Sequence, residues 1–257
     1  MAKRILITGA GRRIGAALAK ALAADGWFVV IHYNRSADDA ERVLAGIEAA
    51  GGKAAVIGAD LADGDALTGL IPRAVEAYGP LTALINNASL FRYDTLADMT
   101  LEGWAAHEAI NVRAPAFLAQ GFARQLPDGE EGCIVNMIDN KVFALNPDYF
   151  SYTVPKVALK GLTEMLAMAL APKVRVCGIA PGLVLVSGKQ SEANYEKART
   201  LNPLGRGVEI ADIVAGVCFI LASPIYNGQV LVLDGGQTLA GHGRDVAFLV
   251  DDGKPAP

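Results

Sequence analysis

The sequence predicts an α/β fold, a doubly wound parallel sheet with helices on both faces. Three observations carry that expectation. Strand-like and helix-like segments alternate from the N-terminus onward, the pattern of a parallel sheet whose crossovers are helices. A glycine-rich turn, Thr8-Gly9-Ala10-Gly11-Arg12-Arg13-Ile14-Gly15, sits between the first strand-like run and the first helical one. No internal repeat, low-complexity linker or break in composition divides the 257 residues, a length that suits one large α/β domain with a full core.

Taken in order, Ile5-Leu6-Ile7 reads as the first strand, and Ile14 to Ala24 as an Ala/Leu-rich helix that Gly26 ends. Trp27 to Ile31 is the second strand. Ser36 is placed to cap a helix running to Ala50, which Gly51-Gly52 stops. Ala54 to Ile57 and Ala83 to Asn86 are the third and fourth strands, separated by a helical stretch that closes on Tyr78-Gly79-Pro80. A long helical pattern spans about Trp104 to Gln125, and Pro115 within it predicts a kink or a division. Runs near Cys133–Met137, Val174–Ile179 and Gln229–Leu233 complete the strands. Pro155 is tolerable where it stands if its helix has only just begun. Residues 1–250 read as one domain, and the polar, proline-containing 251–257 as a frayed tail.

A formal net charge of −4 and a pI near 5.4 argue against a nucleic-acid or acidic-membrane partner. No run approaches the roughly 18 apolar residues that a membrane span requires. The first apolar run meets Gly9 too soon for a signal peptide. Cys133, Cys177 and Cys218 are widely spaced within apolar runs. They read as buried thiols of a reducing compartment, neither a disulfide frame nor a metal site. The expectation is a cytoplasmic chain without bound metal.

The turn at Thr8–Gly15 points to a pyrophosphate. Gly9, Gly11 and Gly15 let the backbone come close to phosphate, and the following helix, opened by Arg12, Arg13 and Ile14, offers free N–H groups and positive potential. After the second strand an NAD site usually carries a carboxylate for the ribose hydroxyls. This chain has His32-Tyr33-Asn34-Arg35-Ser36 instead, with no acid before Asp38. Arg35 and Ser36, joined by Arg12 or His32, suit a 2′-phosphate through charge-assisted hydrogen bonds. NADPH/NADP+ is therefore favoured. Asp60 and Leu61, after the third strand, lie where an adenine would be reached, or Asp60 only begins a turn.

Tyr152 and Lys156 are four residues apart at the start of a helical pattern, which puts both side chains on one face, about 6 Å apart along the axis. A phenol titrates near about 10, and a neighbouring ammonium favours its ionised form. Asp139, at the end of the run Cys133 to Ile138, is placed to hold a proton beside them.

Together these residues resemble the short-chain dehydrogenase/reductase family. The Thr8–Gly15 turn, Asp60, Asn86-Asn87-Ala88, Asn111, Tyr152 with Lys156, Pro181-Gly182 and Asp234-Gly235-Gly236 stand in family order over nearly the whole chain. The resemblance implies a Rossmann-type sheet of about seven strands and a homotetramer. It implies Tyr152 as proton donor, Lys156 binding ribose and lowering the tyrosine pKa, and Asn111 supporting a relay water. Asn87, Ala88 and Met137 would line the cofactor pocket, and Pro181-Gly182 would face the nicotinamide.

Two departures narrow the resemblance. Arg13 replaces the middle glycine of the family's T-G-x-x-x-G-x-G turn, and Asp139 replaces the active-site serine thirteen residues before the tyrosine. Both look like the pteridine reductases and dihydromonapterin reductase-like enzymes. Asn136-Met137-Ile138-Asp139 resembles that subgroup's active-site strand, Ala88-Ser89-Leu90-Phe91 its substrate strip, and His32 to Ser36 its NADPH-selecting segment. The implied substrate is a pterin or dihydropterin contacting Arg13, Ser89, Phe91, Asp139, Tyr152 and Pro181. A flat bicyclic ring gains from stacking on Phe91, and its amide and amino groups find partners in Ser89 and Arg13. Asp139, its pKa raised beside a buried tyrosine, would pass a proton through Tyr152. The second expectation is a general carbonyl reductase for a ketone, sugar or ketoacyl group. The third is a catalytically silent NADP(H)-binding sensor. Residues 183–202, with Lys189, Glu192, Asn194 and Tyr195, are expected to form a substrate lid. His107 and His242 read as surface or packing residues, and 241–250 as a segment at a subunit interface.

Overall fold

Every strand is an apolar run that the fold covers on both sides. The computed structural model describes residues 3–186, 188 and 190–250. Its strands are β1 (Arg4–Ile7), β2 (Phe28–Tyr33), β3 (Lys53–Gly58), β4 (Ala83–Asn86), β5 (Gly132–Met137), β6 (Val174–Pro181) and β7 (Val230–Leu233). They form one seven-stranded parallel sheet in the order β3-β2-β1-β4-β5-β6-β7. Helices α1 (Arg13–Ala24), α2 (Ala37–Ala49), α3 (Gly64–Tyr78), α4 (Leu101–Glu108) and α5 (Ala114–Gln125) are followed by α6 (Phe150–Ala169), α7 (Glu192–Ala198), α8 (Ile210–Ala222) and α9 (Gln237–Ala240).

Ile5 and Ile7 of β1 pack into one core with Leu18 and Leu22 of α1 and Val217 of α8. Leu6 between them packs into the other, with Leu70 and Ile71 of α3 and Phe122 of α5. Successive strand side chains point to opposite faces, so covering both faces makes the strand apolar throughout. This is the Rossmann-type arrangement that the alternation of segments predicts. The strand order reverses between β1 and β4, and ligands of such sheets bind in the crevice beyond the C-terminal strand ends at that switch point.

Several expectations shift. The helix expected from Trp104 begins at Leu101, where the Thr100 hydroxyl accepts the Gly103 amide. The division expected at Pro115 falls before it. One turn of π-helix, Ala109–Arg113, joins α4 to α5 without a break in the helical backbone, and Pro115 is the second residue of α5, where it cannot donate and the hydrogen-bond ladder is already rearranged. Pro155 lies beyond the first turn of α6, so it removes an internal bond there. Ser36 stands at the N-cap of α2 but makes no side-chain cap. The β2 strand continues through His32 and Tyr33, which pair with Ile57 and Gly58.

The segment expected at a subunit interface finds partners within its own chain. Arg244 pairs with Asp148 and Lys141 with Asp245, the Phe248 ring stacks on Tyr149 at 6.0 Å, and Asn194 donates to the Ala247 and Val250 carbonyls. A short 3₁₀ turn, Val246–Phe248, buries Val246 there. The expected frayed tail, 251–257, lies outside the described residues. Among those described, no helix is long and apolar enough to cross a membrane.

Candidate active site

The turn after β1 is held by the strand next door. The Thr8 hydroxyl accepts the Asn87 and Ala88 amides at 2.9 Å each, and Asn87 Nδ2 donates to the Thr8 and Gly9 carbonyls at 2.8 and 3.2 Å. A Cβ on Gly15 would stand 2.5 Å from the Gly9 carbonyl and 2.6 Å from Asn87 Nδ2, so only glycine lets α1 sit this close to the turn. Arg13 opens α1 at φ 53°, a left-handed conformation that costs a side-chain-bearing residue about 1–2 kcal/mol. Its guanidinium donates to the Val186 carbonyl at 2.9 Å, tying the turn to the segment after β6.

A cleft of about 910 Å³ opens from this turn. Gly9, Arg12, Arg13, Ile14 and Gly15 line one end, and Tyr33, Asn34, Arg35, Ser36 and Leu61 the adjoining wall. Asn87, Ala88, Ser89 and Phe91 continue the lining beyond β4, and Met137, Asp139, Tyr152, Lys156, Pro181 and Gly182 close the far end. Gly11 packs beneath the turn against Ser36 and Ala40. Arg12 pairs with Asp39, as does Arg42, and the Arg12 hydrogen bond leads in holding the Asp39 carboxyl below its ordinary range. Asn34 and Arg35 are exposed at the mouth.

His32 lines the cleft but does not offer it a hydrogen. Its Nδ1 accepts the Gly9 amide at 3.1 Å, which leaves the ring hydrogen on Nε2, 3.1 Å from the Ala59 carbonyl. Burial draws its pKa down to about 4, so the ring is neutral near pH 7. The expected phosphate contact from His32 is therefore corrected: both nitrogens are engaged by backbone, and the ring ties β2 to the turn. Asp60 accepts the Ala62 amide at 2.9 Å. It begins a turn and does not line the cleft, whereas Leu61 does.

At the far end Tyr152, 4% exposed, donates to Asp139 Oδ2 at 2.7 Å, and Asp139 Oδ1 accepts the Lys141 amide at 2.9 Å. Burial pushes Tyr152 well above the ordinary phenol range, the Asp139 charge adds to this, and a Ser89 hydroxyl bond opposes it. Burial also raises Asp139, against hydrogen bonds from Tyr152 and Lys141. Lys156 Nζ donates to the Met137 carbonyl at 2.7 Å, and burial lowers its pKa to about 8, with Asp139 opposing. The lowering of the Tyr152 pKa expected from Lys156 is not the leading influence on the phenol. Burial and Asp139 outweigh an ammonium held 5.8 Å from the ring centroid.

The strip after β4 carries Ser89 and Phe91. Asn111, in the π turn, accepts the Leu90 amide at 2.9 Å and the Ser89 hydroxyl at 3.1 Å, and donates to the Leu90 carbonyl at 2.9 Å. Asn111 thus clamps the strip and does not line the cleft, so the relay-water role expected of it has no support in its side chain. Phe91 is 38% exposed, stacks on Tyr149 at 4.3 Å and meets Tyr152 edge-on at 4.6 Å. Of the lid residues, Tyr195 donates to the Val184 carbonyl at 2.6 Å, and Asn194 to the Ala247 carbonyl; both are buried, while Glu192 is exposed. Lys189 lies outside the described residues. Sequence reasoning missed a recess of about 100 Å³ beside Asp139 and Phe91, lined by Lys141, Asn146, His242 and Asp245. The apolar run Val246 to Val250 was the available signal, since it had to cover something. His107, expected as a surface or packing residue, is buried beneath the strip.

A tyrosine, a lysine and a carboxyl gathered at the switch-point crevice of a doubly wound sheet define an oxidoreductase of the Rossmann type. Comparison with known proteins agrees: the chain belongs to the short chain dehydrogenase family, whose pattern matches residues 3–197. The crystal structure of FolM alternative dihydrofolate reductase 1 from Brucella suis in complex with NADP superposes with a TM-score of 0.89 at 39% identity, covering 93% of this chain and 97% of that one. An uncharacterized oxidoreductase of Methylorubrum extorquens is 34% identical, over 91% of this chain and 97% of its own. A 3-oxoacyl-[acyl-carrier-protein] reductase of Synechocystis is 30% identical, over 91% and 96%.

Proposed function

We propose that this protein is an NADPH-dependent reductase of a pterin or dihydropterin. The observation that carries the reading is the Tyr152–Asp139 hydrogen bond of 2.7 Å at the end of a cleft that also presents Phe91 and Arg13. A buried phenol bonded to a carboxyl of raised pKa suits delivery of a proton to a ring nitrogen. The likeness to FolM alternative dihydrofolate reductase 1 supports a pteridine-type substrate. The cofactor fits the cleft: the Gly9–Gly15 cradle suits a pyrophosphate, and Arg12, Arg35 and Ser36 suit a 2′-phosphate. NADPH supplies the hydride when bound. Phe91 stacks on Tyr149 and keeps 38% of its surface exposed for contact with a flat ring, Ser89 and Arg13 orient its polar edge, and Asp139 resupplies Tyr152. We further infer a cytoplasmic homotetramer. Val154, Val157, Met165 and Met168 of α6, all at least 40% exposed, give it an apolar face to bury, and light scattering of the purified chain tests it.

The deciding assay follows NADPH oxidation with dihydromonapterin, dihydrobiopterin, dihydrofolate and a panel of small ketones. Turnover on a dihydropterin well above every ketone is expected. Activity on ketones alone would favour the carbonyl-reductase reading, which the 3-oxoacyl reductase relatives keep as the second choice. Cofactor binding with no turnover on either class would leave a sensor.

A further inference from the structure

The strip bearing Ser89 and Phe91 has no regular secondary structure, yet its aromatic ring sits at a fixed place beside Tyr152. Buried groups outside the cleft bond to this strip. His107, 1% exposed in the last turn of α4, and Ser151, 0% exposed and directly before Tyr152, lie 2.7 Å apart from Nδ1 to Oγ. His107 Nε2 accepts the Arg92 amide at 3.3 Å. A ring nitrogen that accepts carries no hydrogen, so Nδ1 bears it and donates to Ser151. The Ser151 hydroxyl then donates to Asp94 Oδ2, and its amide to Asp94 Oδ1 at 2.9 Å. The Phe150 amide adds a bond to the Asp94 carbonyl at 3.1 Å. Donors therefore run one way, from Arg92 through His107 and Ser151 to Asp94. Both ends of that path belong to the strip, and its middle joins α4 to the start of α6. None of the four side chains lines the cleft.

We propose that His107, Ser151 and Asp94 are positioning residues that lock the substrate strip to the start of the tyrosine helix, and that acid opens the lock by protonating His107. The proposal rests on the reading of Phe91 as a substrate contact and Tyr152 as the proton donor. An imidazolium carries hydrogen on both nitrogens, so the Arg92 amide would then face another donor and lose its acceptor. The charged groups facing His107 are Asp94 and Arg92, both on the strip; from α6 the Tyr152 ring meets it edge-on at 6.1 Å. Burial leads in lowering the His107 pKa, Arg92 adds to that and Asp94 opposes it. The lock thus stays closed near neutrality. The neighbouring clamp from Asn111 to Leu90 does not titrate, so acid frees one tie of the strip and leaves the other.

Two measurements test this. The first needs no substrate. In protein labelled with ¹⁵N-histidine, three histidines are resolved by substitution, and ring-nitrogen shifts report the tautomer. His107 is expected as Nδ1–H, opposite to the Nε2–H of His32, and Ser151→Ala is expected to weaken that preference without reversing it, since the Arg92 amide still faces Nε2. An Nε2–H ring at position 107 would overturn the proposal. The second is kinetic. Ser151→Ala and His107→Phe are each expected to raise KM for the dihydropterin about tenfold with KM for NADPH within about twofold, and the double variant to be no worse than either, as members of one network. His107→Gln, which keeps an acceptor for Arg92, is expected to retain most activity and to lose the acid-side rise in KM. Dihydropterin KM unchanged in Ser151→Ala and His107→Phe, or an equal rise for NADPH, would sink the lock. Were the wild type to reduce ketones alone, the pterin reading would fall, and the tautomer of His107 would still decide the lock.

Discussion

At the scale of single residues, two side chains stand where the family pattern has something smaller. Arg13 occupies a left-handed position, φ 53°, that glycine would take without strain. Arg13→Gly is expected to stabilise the fold by at most about 1 kcal/mol, the relief of strain less the added freedom of the unfolded chain, while raising KM for the pterin. Urea midpoints and initial rates check both parts, and a destabilised variant would show that the contact to Val186 outweighs the strain. Asp139 replaces a hydroxyl with a carboxyl that burial keeps prone to hold its proton. Asp139→Asn is expected to lower kcat on a dihydropterin roughly 100-fold, the range of a proton-transfer group, with NADPH affinity by fluorescence unchanged. Undiminished turnover would remove Asp139 from the chemistry. The sequence places Asp139 beside Tyr152, but the 2.7 Å bond between them and the engagement of Lys156 by Met137 depend on how β5 and α6 meet.

At the scale of elements, the first strand, turn and helix form the unit that the sequence states most openly. Its tolerance is set by Gly15, whose Cβ would meet backbone at 2.5 Å. Backbone cannot swing aside as a side-chain end does. Gly15→Ala is expected to cost about 2–3 kcal/mol in stability and to weaken NADPH binding, both read from thermal unfolding with and without cofactor. A variant with unchanged melting and affinity would mean that α1 slides away from the turn freely. The π turn at Ala109–Arg113 shows in the sequence only as a division at Pro115. An extra residue per turn rotates the downstream helix by about 100°, and this element carries both Asn111 and, just before it, His107 to the strip.

At the scale of the whole molecule, stability is tied to pH through His32. Its folded pKa is depressed to about 4 from 6.5, so its contribution is present above the unfolded value and is lost as pH falls from about 6.5 through about 4. The depression corresponds to about 3 kcal/mol. Urea unfolding between pH 7 and pH 4 is expected to show that loss, and His32→Gln to show a shallower decline. Equal slopes in the two proteins would place the acid sensitivity in another group.

By itself the sequence determined the alternation of elements, the seven strands, the phosphate-type turn and the pairing of Tyr152 with Lys156. Periodicity, glycine placement and helical spacing act within a few residues along the chain. Only the tertiary structure decided which histidine faces which backbone group, that Asn111 holds a strip and that the C-terminal segment covers its own pocket. The Lys141–Asp245 contact spans 104 residues and Arg13–Val186 spans 173. Contacts of that separation leave no local pattern, since they exist only once the sheet has brought distant strand ends to one rim.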